Sequence, residues 1–501
     1  MINRRHFIAA MASTAAVHLS PTTGRSETSD LLEYARRLGQ NAYSPSTSQL
    51  QAPFADLDYD AYRGIRPKPG RAAMLPLGER YAFDLLPPGL YFPDPVAIDI
   101  MRPSGPEQVA FSPGLFSFEP RYFDAIPDRS PGADFSGLRL RYPLNAADVL
   151  DEVMVAQGGS YFRAIGQSMV YGLSARAVAI GTGGADPEEF PRFIQMRLHE
   201  PAGDVVRLEA VIDSPSLAGH FDMRLRPGAD TTAEITTTLF PRTVIDDVGI
   251  APLTSMFLKG PIRASTSDDF RPRVHDSDVL FVHNGADEML WRPITNPAQL
   301  QTSSFIDDGP AGFGLFQSAR SFEDYEDTEA RYHDRPSGFV QPLGDWGAGA
   351  VVLVEIPTAD EFLDNIVAFW RPEAALLPGE SYQYDYRLTW TLNLPNTGGV
   401  ASVLQSRSGR EHDQPGARRY VVDVDTQQRD AVPVISASEG AEIDGVSAFA
   451  LPDERGTRVT FLMRPPPADS AEIRLSLRGT DNTPLSPVWL HRWTRARDGG
   501  V

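Results

Sequence analysis

The chain has 501 residues, including 41 glycines, 43 prolines and no cysteine, and its formal net charge is −20. This charge disfavours nucleic acid and anionic lipid surfaces as partners and leaves neutral or cationic ligands. Without cysteine the chain has neither disulfides nor thiolate metal sites, and its length predicts two domains that are stabilised by core burial.

The first residues carry an export pattern. Arg4 and Arg5 precede His6, Phe7 and a short apolar run, IAAMASTAAVHL, which is the order of a twin-arginine signal. The run is too short and too weakly apolar to span a membrane. We therefore predict that residues 1–28 direct a folded protein to the bacterial periplasm. The mature start stays open between about residue 20 and residue 30, because no convincing A-x-A cleavage site is present.

Most of the mature chain has the pattern of strands and turns. Residues 30–38 follow Ser29 with amphipathic spacing, which predicts a short capped helix. Strands are predicted at residues 80–86, 96–101, 114–118, 138–142, 205–212, 220–225 and 233–240. Between these groups, Asn145 and Gly158 bound a second predicted helix, and the extended segment after it places Tyr161 and Arg163 on one side. The whole predicts a large antiparallel sandwich.

An acidic cluster begins at residue 274, in VHDSDVLFVH. Period two places Asp276 and Asp278 on one face of a strand and His275 on the other. Two carboxylates on a buried face are costly unless they are paired, hydrated or used, so a functional site and a solvated strand start both remain open. Calcium-loop and zinc spacings are absent, and no metal is predicted. Asn284 and Gly285 predict a hairpin with a loop of two or more residues.

Aromatic rings accompany these acids. Tyr332 and Arg335 lie in ARYHDRP, Trp346 lies on the glycine-rich loop GDWGAG, and Trp291 follows the hairpin. An aromatic face stacks on the apolar face of a pyranose, and carboxylates accept hydrogen bonds from sugar hydroxyls. Each ring alone is typical of an ordinary surface, but rings and acids concentrated between residues 271 and 370 predict a sugar-binding groove.

We expect the chain to be organised around residues 350–370, AVVLVEIPTADEFLDNIVAFW. Residues 351–356 and 366–370 are predicted buried strands. Thr358 and Glu361 have capping-box spacing, which predicts one helical turn between the strands. Asp364 would then lie beside apolar surface, where desolvation raises the pKa of a carboxyl. The plainer alternative is that Glu361 only caps and Asp364 only ends a turn.

Several of these segments together resemble the periplasmic glucan biosynthesis proteins, the osmoregulated-glucan proteins G and D. The resemblance rests on DDVGIAPLTSMF at residues 246–257, RPRVHDSD at 271–278, DWG at 345–347, VEIPT at 354–358 and DNIV at 364–367. It covers nearly the whole mature chain. The twin-arginine leader makes the chain look more like the D-type.

The resemblance implies an all-β protein, with a galactose-mutarotase-like β-sandwich over residues 29–396 and a small immunoglobulin-like β-sandwich over residues 401–498. The residue pattern agrees with the second part, because a linker composition at residues 395–399 precedes about seven short strands. The large domain is the one that would bind and process glucan.

The resemblance also implies a function in which β-1,2-glucan is the substrate and no cofactor is used. Members act as anomer-inverting hydrolases or as cyclising transglycosylases, and a noncatalytic glucan-binding role stays open.

Asp364 matches the general acid and Asp276 the presumed base, while Tyr332 and Glu361 match relay or substrate contacts. Further predicted site residues are Asp278, His275, Arg335, Trp346, Trp291, Tyr161 and Arg163. The oligomeric state stays open, with a homodimer as one option.

Overall fold

The computed structural model describes residues 29–45, 50–263, 268–428, 430–452 and 455–498. The predicted export pair, Arg4 and Arg5, lies outside these residues. The described chain is nearly all β, as predicted. Within the described ranges, none of the helices has both the length and the apolar character needed to cross a membrane.

Short helices flank or interrupt the strands. The α-helices are α1 (Asp30–Gly39), α2 (Tyr59–Arg63) and α3 (Arg495–Asp498), and 3-10 turns occur at Pro113–Leu115, Phe322–Asp324 and Tyr332–Asp334. Helix α1 confirms the predicted N-terminal helix, since the Ser29 side chain accepts a hydrogen bond from the Leu31 N–H at 3.3 Å.

The strands of the first half are β1 (Ile65–Pro67), β2 (Leu75–Leu77), β3 (Tyr81–Leu86), β4 (Ala97–Arg102), β5 (Gly105–Gln108), β6 (Phe116–Phe118), β7 (Gly137–Tyr142), β8 (Asp151–Gln157), β9 (Tyr161–Ala164), β10 (Ser174–Arg176), β11 (Val178–Ile180), β12 (Arg192–Leu198), β13 (Val206–Asp213), β14 (Leu217–Arg226), β15 (Thr231–Pro241) and β16 (Val248–Ser255). They include each strand predicted in this part of the sequence.

The strands of the second half are β17 (Phe257–Lys259), β18 (Val274–His275), β19 (Val279–His283), β20 (Met289–Pro293), β21 (Gln301–Asp308), β22 (Gly312–Phe316), β23 (Ser337–Pro342), β24 (Ala348–Glu355), β25 (Ile366–Pro372), β26 (Tyr382–Thr391), β27 (Val403–Arg410), β28 (Arg418–Val424), β29 (Val432–Ala437), β30 (Glu442–Ala450), β31 (Thr457–Arg464), β32 (Ser470–Arg478) and β33 (Val488–Thr494). Strands β19 and β20 form the predicted hairpin, with a five-residue loop from residue 284 to residue 288.

Two large sheets pack face to face. One has the order β2-β3-β7-β8-β9-β10-β16-β25-β24-β21, with β11 also paired to β16, and the other runs β29-β32-β33-β20-β19-β22-β23-β26-β15-β14-β13-β12-β4-β5. Phe162 of the first sheet contacts Phe221 and Trp390 of the second, with ring centroids 5.3 and 6.2 Å apart. The shared interior is the main hydrophobic core, which is the arrangement of a β-sandwich.

The predicted helix at residues 146–157 is wrong, because this segment contains strand β8. Strand β8 pairs with β7 and β9 inside the first large sheet and buries Val153 and Met154. Asn145 does not cap a helix, and its side-chain oxygen accepts a hydrogen bond from the Ser168 N–H at 2.8 Å. Cross-strand pairing therefore overrides the local helix signal.

The last seven strands form a second core. Strands β27, β28, β31 and β30 make a four-stranded sheet, while β29, β32 and β33 continue the second large sheet through parallel pairing of β33 with β20. Trp489, Tyr420 and Phe461 pack between these layers. The boundary proposed between residues 396 and 401 falls in a strand-free stretch, residues 392–402.

Candidate functional site

Four segments that are far apart in sequence meet at one group of charged side chains. Strand β9 carries Tyr161 and Arg163, and the connection between β18 and β19 carries Asp276. The 3-10 turn at Tyr332–Asp334 supplies Tyr332 and, at its end, Arg335. The loop between β24 and β25, residues 356–365, supplies the two further carboxylates of the group, Glu361 and Asp364.

The 356–365 loop is fixed at its base by Asn365. Ile356 N–H donates to the Asn365 carbonyl at 2.9 Å, and the buried Asn365 amide donates back to the Ile356 carbonyl at 2.9 Å. The same side chain accepts from Phe257 N–H at 2.8 Å, which ties the loop to β17. Asp364 therefore stands directly beside an anchored backbone position.

The helical turn predicted from Thr358 is wrong, because residues 359–363 form bends rather than a helix. The Thr358 hydroxyl accepts from the Asp360 N–H at 3.3 Å, but Glu361 does not turn back to close a capping box. Its carboxylate accepts instead from Arg271 and Tyr332, each at 2.7 Å. Long-range ion pairing thus replaces the local cap.

Asp364 is a partly solvated carboxylate, with 36% of its side chain exposed. Arg163 Nη2 lies 3.4 Å from its Oδ2, and Arg163 Nε donates to Ser174 at 2.7 Å, which orients the guanidinium. The apolar surface predicted beside Asp364 is not supplied by Ile366, Phe369 and Trp370 of the following strand. These three side chains are fully buried in the cores on the two faces of β25, because that strand is central in its sheet.

Asp276 is the second carboxylate of the group and is only 4% exposed. Arg335 Nη1 donates to its Oδ1 at 2.6 Å. Burial raises the pKa of Asp276, Arg335 opposes this rise, and the charge on Asp364 adds to it. The charge of Asp364 therefore reaches Asp276, although the two residues are 88 positions apart in sequence.

Tyr332 connects the two sides of the group. Its hydroxyl donates to Glu361 Oε2 at 2.7 Å, and the Arg335 guanidinium lies 4.3 Å from the centre of its ring. Burial raises the pKa of Tyr332, and the hydrogen bond to Glu361 raises it further. Because Arg335 also donates to Asp276, it links Asp276 to the Tyr332–Glu361 pair, by a hydrogen bond on one side and a cation–π contact with the Tyr332 ring on the other.

Tyr161 faces the same group from β9. Burial raises the pKa of Tyr161, and the charge on Asp364 contributes to the same rise, while Arg163 opposes it. The Arg176 guanidinium lies 5.2 Å from the Tyr161 ring centre and 5.8 Å from that of Phe190. The predicted placement of Tyr161 and Arg163 on one side of an extended segment agrees with this arrangement.

Asp278 and His275 lie apart from this group. The strand alternation predicted through this segment is wrong, because β18 ends at His275 and β19 begins at Val279, so the three residues between them leave the ladder. Asp278 accepts from Ser318 N–H at 2.7 Å and from its hydroxyl at 2.5 Å. His275 is buried against Phe257, and burial lowers the pKa of His275 to about 4.

The exposed stacking positions predicted for Trp346 and Trp291 are wrong, because both rings are packed in cores. Trp346 is 8% exposed, and its ring centroid lies 5.7 Å from that of Tyr384. Trp346 lies just before the first residue of β24, whereas Asp364 lies in the loop after the last residue of that strand. Trp291 is buried where β20 pairs with β33, in the second core.

Sequence reasoning missed Arg271 and three exposed phenylalanines. Arg271 bridges Glu361 to Asp327, with the second contact at 2.8 Å. Phe270 precedes Arg271 and is 79% exposed, and Phe362 follows Glu361 and is 90% exposed. Phe190 is half exposed beside Tyr161. For Phe270 and Phe362 the sequence signal is a lone aromatic residue in a polar loop, next to the charged residues Arg271 and Glu361.

The arrangement suits chemistry at a neutral polymer. A partly solvated carboxylate, a buried carboxylate and a phenol lie together, with exposed rings beside them, and such rings stack on sugar faces. In the part of the chain that the structure describes, no three histidine, aspartate or glutamate side chains are grouped as metal ligands.

Comparison with known proteins gives a match along nearly the whole chain. A family model described as "Periplasmic glucan biosynthesis protein, MdoG" matches residues 27–493. The glucans biosynthesis protein G of Shewanella frigidimarina is 39% identical over 481 residues, which cover 94% of this chain and 85% of that protein. The proteins of the same name from Vibrio cholerae and Shewanella baltica are 38% and 37% identical, with 94% of this chain and 87% and 88% of theirs covered. All three relatives are named protein G, so they do not support the predicted similarity to the D-type.

Proposed function

We propose that this chain, which belongs to the periplasmic glucan biosynthesis protein family, cleaves β-1,2-glucan as an anomer-inverting endo-hydrolase. The family places the protein in glucan biosynthesis, and the proposal adds the reaction and the linkage. The observation that supports it is that the buried Asp276, held by Arg335, lies within range of the charge of Asp364, which adds to the rise in the pKa of Asp276. An inverting glycosidase needs two such groups, one to donate a proton and one to take a proton from water.

Asp364 is proposed as the general acid. It is the carboxylate of the pair that substrate reaches, because more than a third of its side chain is exposed and its backbone is anchored by Asn365. Its protonated form would donate to the glycosidic oxygen as the bond breaks, since a sugar alkoxide is a poor leaving group. Arg163, 3.4 Å away, would orient the carboxyl and stabilise the carboxylate left after proton transfer.

Asp276 is proposed as the final acceptor of the proton from the attacking water. It is too buried to contact a substrate-bound water directly, so the proton would travel along a relay. Substrate hydroxyls would carry the proton from the attacking water to Asp276. Tyr332, whose hydroxyl donates to Glu361 at 2.7 Å, would orient Glu361 and these hydroxyls beside the path.

The exposed rings are proposed as sugar contacts in place of Trp346 and Trp291. Phe270 and Phe362 flank the Arg271–Glu361 ion pair in sequence, and Phe190 stands beside Tyr161. Their exposure leaves ring faces free for glucose units on either side of the acids. This placement would hold a chain across the groove, as an endo-acting enzyme requires.

The test is to incubate the purified protein with linear β-1,2-glucan, resolve the products by size and record the anomeric form of the new reducing ends by NMR. We expect short linear products with inverted configuration, and Asp364→Asn should lose on the order of 10²–10⁴ in rate while it still binds glucan. Asp360→Asn, an exposed change in the same loop, is the matched control and should keep the parent rate.

The other outcomes separate the alternatives. Cyclic products or longer chains would identify a transglycosylase, which needs the same acid. Binding without turnover in the parent protein would identify a noncatalytic member of the synthesis machinery. The ion pair between Asp276 and Arg335 is the observation that favours the noncatalytic role, because the pair gives the buried carboxylate a structural partner.

Export through the twin-arginine route is proposed as the way the folded chain reaches the periplasm. The support is the Arg4-Arg5 pair followed by a short apolar run, together with the periplasmic description of the family.

A further inference from the structure

A second cleft lies away from the acidic group, at the junction of the second large sheet with the C-terminal strands. It encloses about 890 Å³, a volume within the range of small-ligand sites. Strands β19, β22, β23 and β26 form its floor, and residues 393–398, 484 and 486–488 form its upper wall. None of the residues that line it belongs to the acidic group.

The floor presents an aromatic platform. The Phe339 ring lies directly over Gly312, where an added Cβ would come within 2.4 Å of the Phe339 Cζ. Phe316 supports the ring from one side, with centroids 6.0 Å apart. The glycine thus leaves room for the end of the Phe339 ring against the sheet, and Phe339 lines the cleft and is partly exposed. A partly exposed aromatic ring in a cleft can stack on a sugar.

Uncharged hydrogen-bonding groups stand next to this ring. Thr389 pairs directly with Phe339 across β26 and β23, and Gln341 follows two positions later on the same face. Among the described residues, the Gln341 amide and the Thr389 hydroxyl have no hydrogen-bond partner, so both are available to a ligand. Asn396 extends the same amide chemistry onto the linker above.

The charges at the cleft exclude an anionic ligand. Asp230, Asp287 and Glu288 line it against one arginine, Arg478, and the whole chain carries a net charge of −20. A phosphate-bearing or nucleic acid ligand would meet this excess of carboxylates. The mixture of one open ring, amides and a hydroxyl fits a neutral polyhydroxyl chain better than an apolar peptide, which would leave those polar groups unpaired.

We propose that this cleft is a second, noncatalytic binding site for a stretch of glucan chain. The identity of the chain as β-1,2-glucan rests on the proposed function, whereas the neutral saccharide chemistry rests on the cleft itself. A chain held at both places would be tethered, which raises the effective concentration of its other segments at the acidic groove. Long chains would therefore bind more tightly than chains too short to reach both places.

The test uses the full-length protein with Asp364→Asn, so that glucan is bound without turnover, and measures affinity by calorimetry for short and long linear β-1,2-gluco-oligosaccharides. Adding Gln341→Ala with Thr389→Ala should weaken the long chain about tenfold, as expected for two lost hydrogen bonds, and leave the short chain unchanged. Neither change removes a hydrogen bond within the described fold. Gln108→Ala, an exposed strand glutamine at the far edge of the same sheet, is the matched control.

A second variant, Thr389→Trp, places a bulky side chain beside Phe339 and should reproduce the loss by obstructing that part of the cleft. Unchanged affinity for the long chain in both variants would overturn the second site and leave the proposed function standing. Loss of long-chain binding in these variants, with no turnover by the parent protein, would support the second site while the proposed function fails. Absence of oligosaccharide binding at any length would overturn both.

Discussion

Replacing Arg335 with glutamine tests how the buried acid of the site is maintained. Arg335 Nη1 donates to Asp276 at 2.6 Å, and its Nε donates to the Ala330 carbonyl at 3.0 Å. Glutamine keeps the Cβ, Cγ and Cδ atoms, so it preserves the packing of this side chain against Gly172, whose missing Cβ would lie 2.8 Å from Arg335 Cβ. The change therefore removes the charge and leaves most of the shape.

The magnitude follows from the burial of the pair. Breaking a buried ion pair by removing one partner costs about 3–5 kcal/mol of folding free energy, because the other charge stays buried and unpaired. Asp276 is fully enclosed, but one fifth of the Arg335 side chain is exposed, so water enters once the guanidinium is gone. We therefore expect the lower end, about 3 kcal/mol at pH 7.

The loss of stability in Arg335→Gln should depend on pH, and the burial of Asp276 determines the direction of this dependence. The pKa of Asp276 is raised in the folded protein, so ionisation of Asp276 opposes folding. Its contribution to the free energy of unfolding is fully present below the ordinary aspartate pKa, about 3.9, and is lost as pH rises through the raised value. Removing Arg335 raises that pKa further and enlarges the fall. Arg335→Gln should therefore be markedly less destabilising at pH 5 than at pH 7.

Urea unfolding at both pH values, with fluorescence as the readout, measures the effect. Asp276→Asn is the matched partner variant: alone it should cost about 1–2 kcal/mol, because its amide oxygen still accepts from Arg335, and combined with Arg335→Gln it should recover part of the loss at pH 7. Equal destabilisation at the two pH values, or strict additivity of the two changes, would refute a buried charge as the cause.

Three further predictions follow from the positions of rings and charges. Trp346→Ala should destabilise the protein by about 3–5 kcal/mol and leave glucan affinity unchanged, since the ring is part of the main core; weakened affinity in a folded variant would restore it to the groove. Phe362→Ala should weaken glucan binding by about 1 kcal/mol with no change in thermal stability, whereas Phe449→Ala, an exposed ring on β30, should change neither; calorimetry with the short oligosaccharide decides. Replacing Arg4 and Arg5 with lysines should retain the protein in the cytoplasm on cell fractionation, and undiminished periplasmic protein would remove the twin-arginine assignment.

The strand pattern was predictable because most strands bury apolar side chains between turn residues. The segments around Phe83, Leu208 and Val352 carry β-branched or aromatic residues bounded by glycine or proline, and each is a strand in the structure. The segment around Val153 carries the same signal, but a preceding asparagine and a following glycine imitate helix caps. The pairing of β8 with two neighbours was not visible from local sequence.

The partners of the site acids were less predictable, because each one comes from a distant segment. Glu361 had a local explanation as a capping residue, and it was wrong because Arg271 lies 2.7 Å away across the fold. Trp346 had the composition of an exposed loop, but its ring turns inward between Tyr384 and Trp370. Local sequence gives the propensity of a loop and not the direction in which its side chains point.

The departure from strand geometry at residues 276–278 gives Asp276 its place in the candidate site. Had the alternation continued, Asp276 and Asp278 would share one face and repel each other at close range. Because the backbone leaves the ladder there, Asp278 turns to Ser318 and Asp276 turns to Arg335 and towards Asp364. The break therefore separates Asp278, which is held by Ser318, from Asp276, the proposed proton acceptor, within three residues, and a departure from the periodic pattern is expected at a site of this kind.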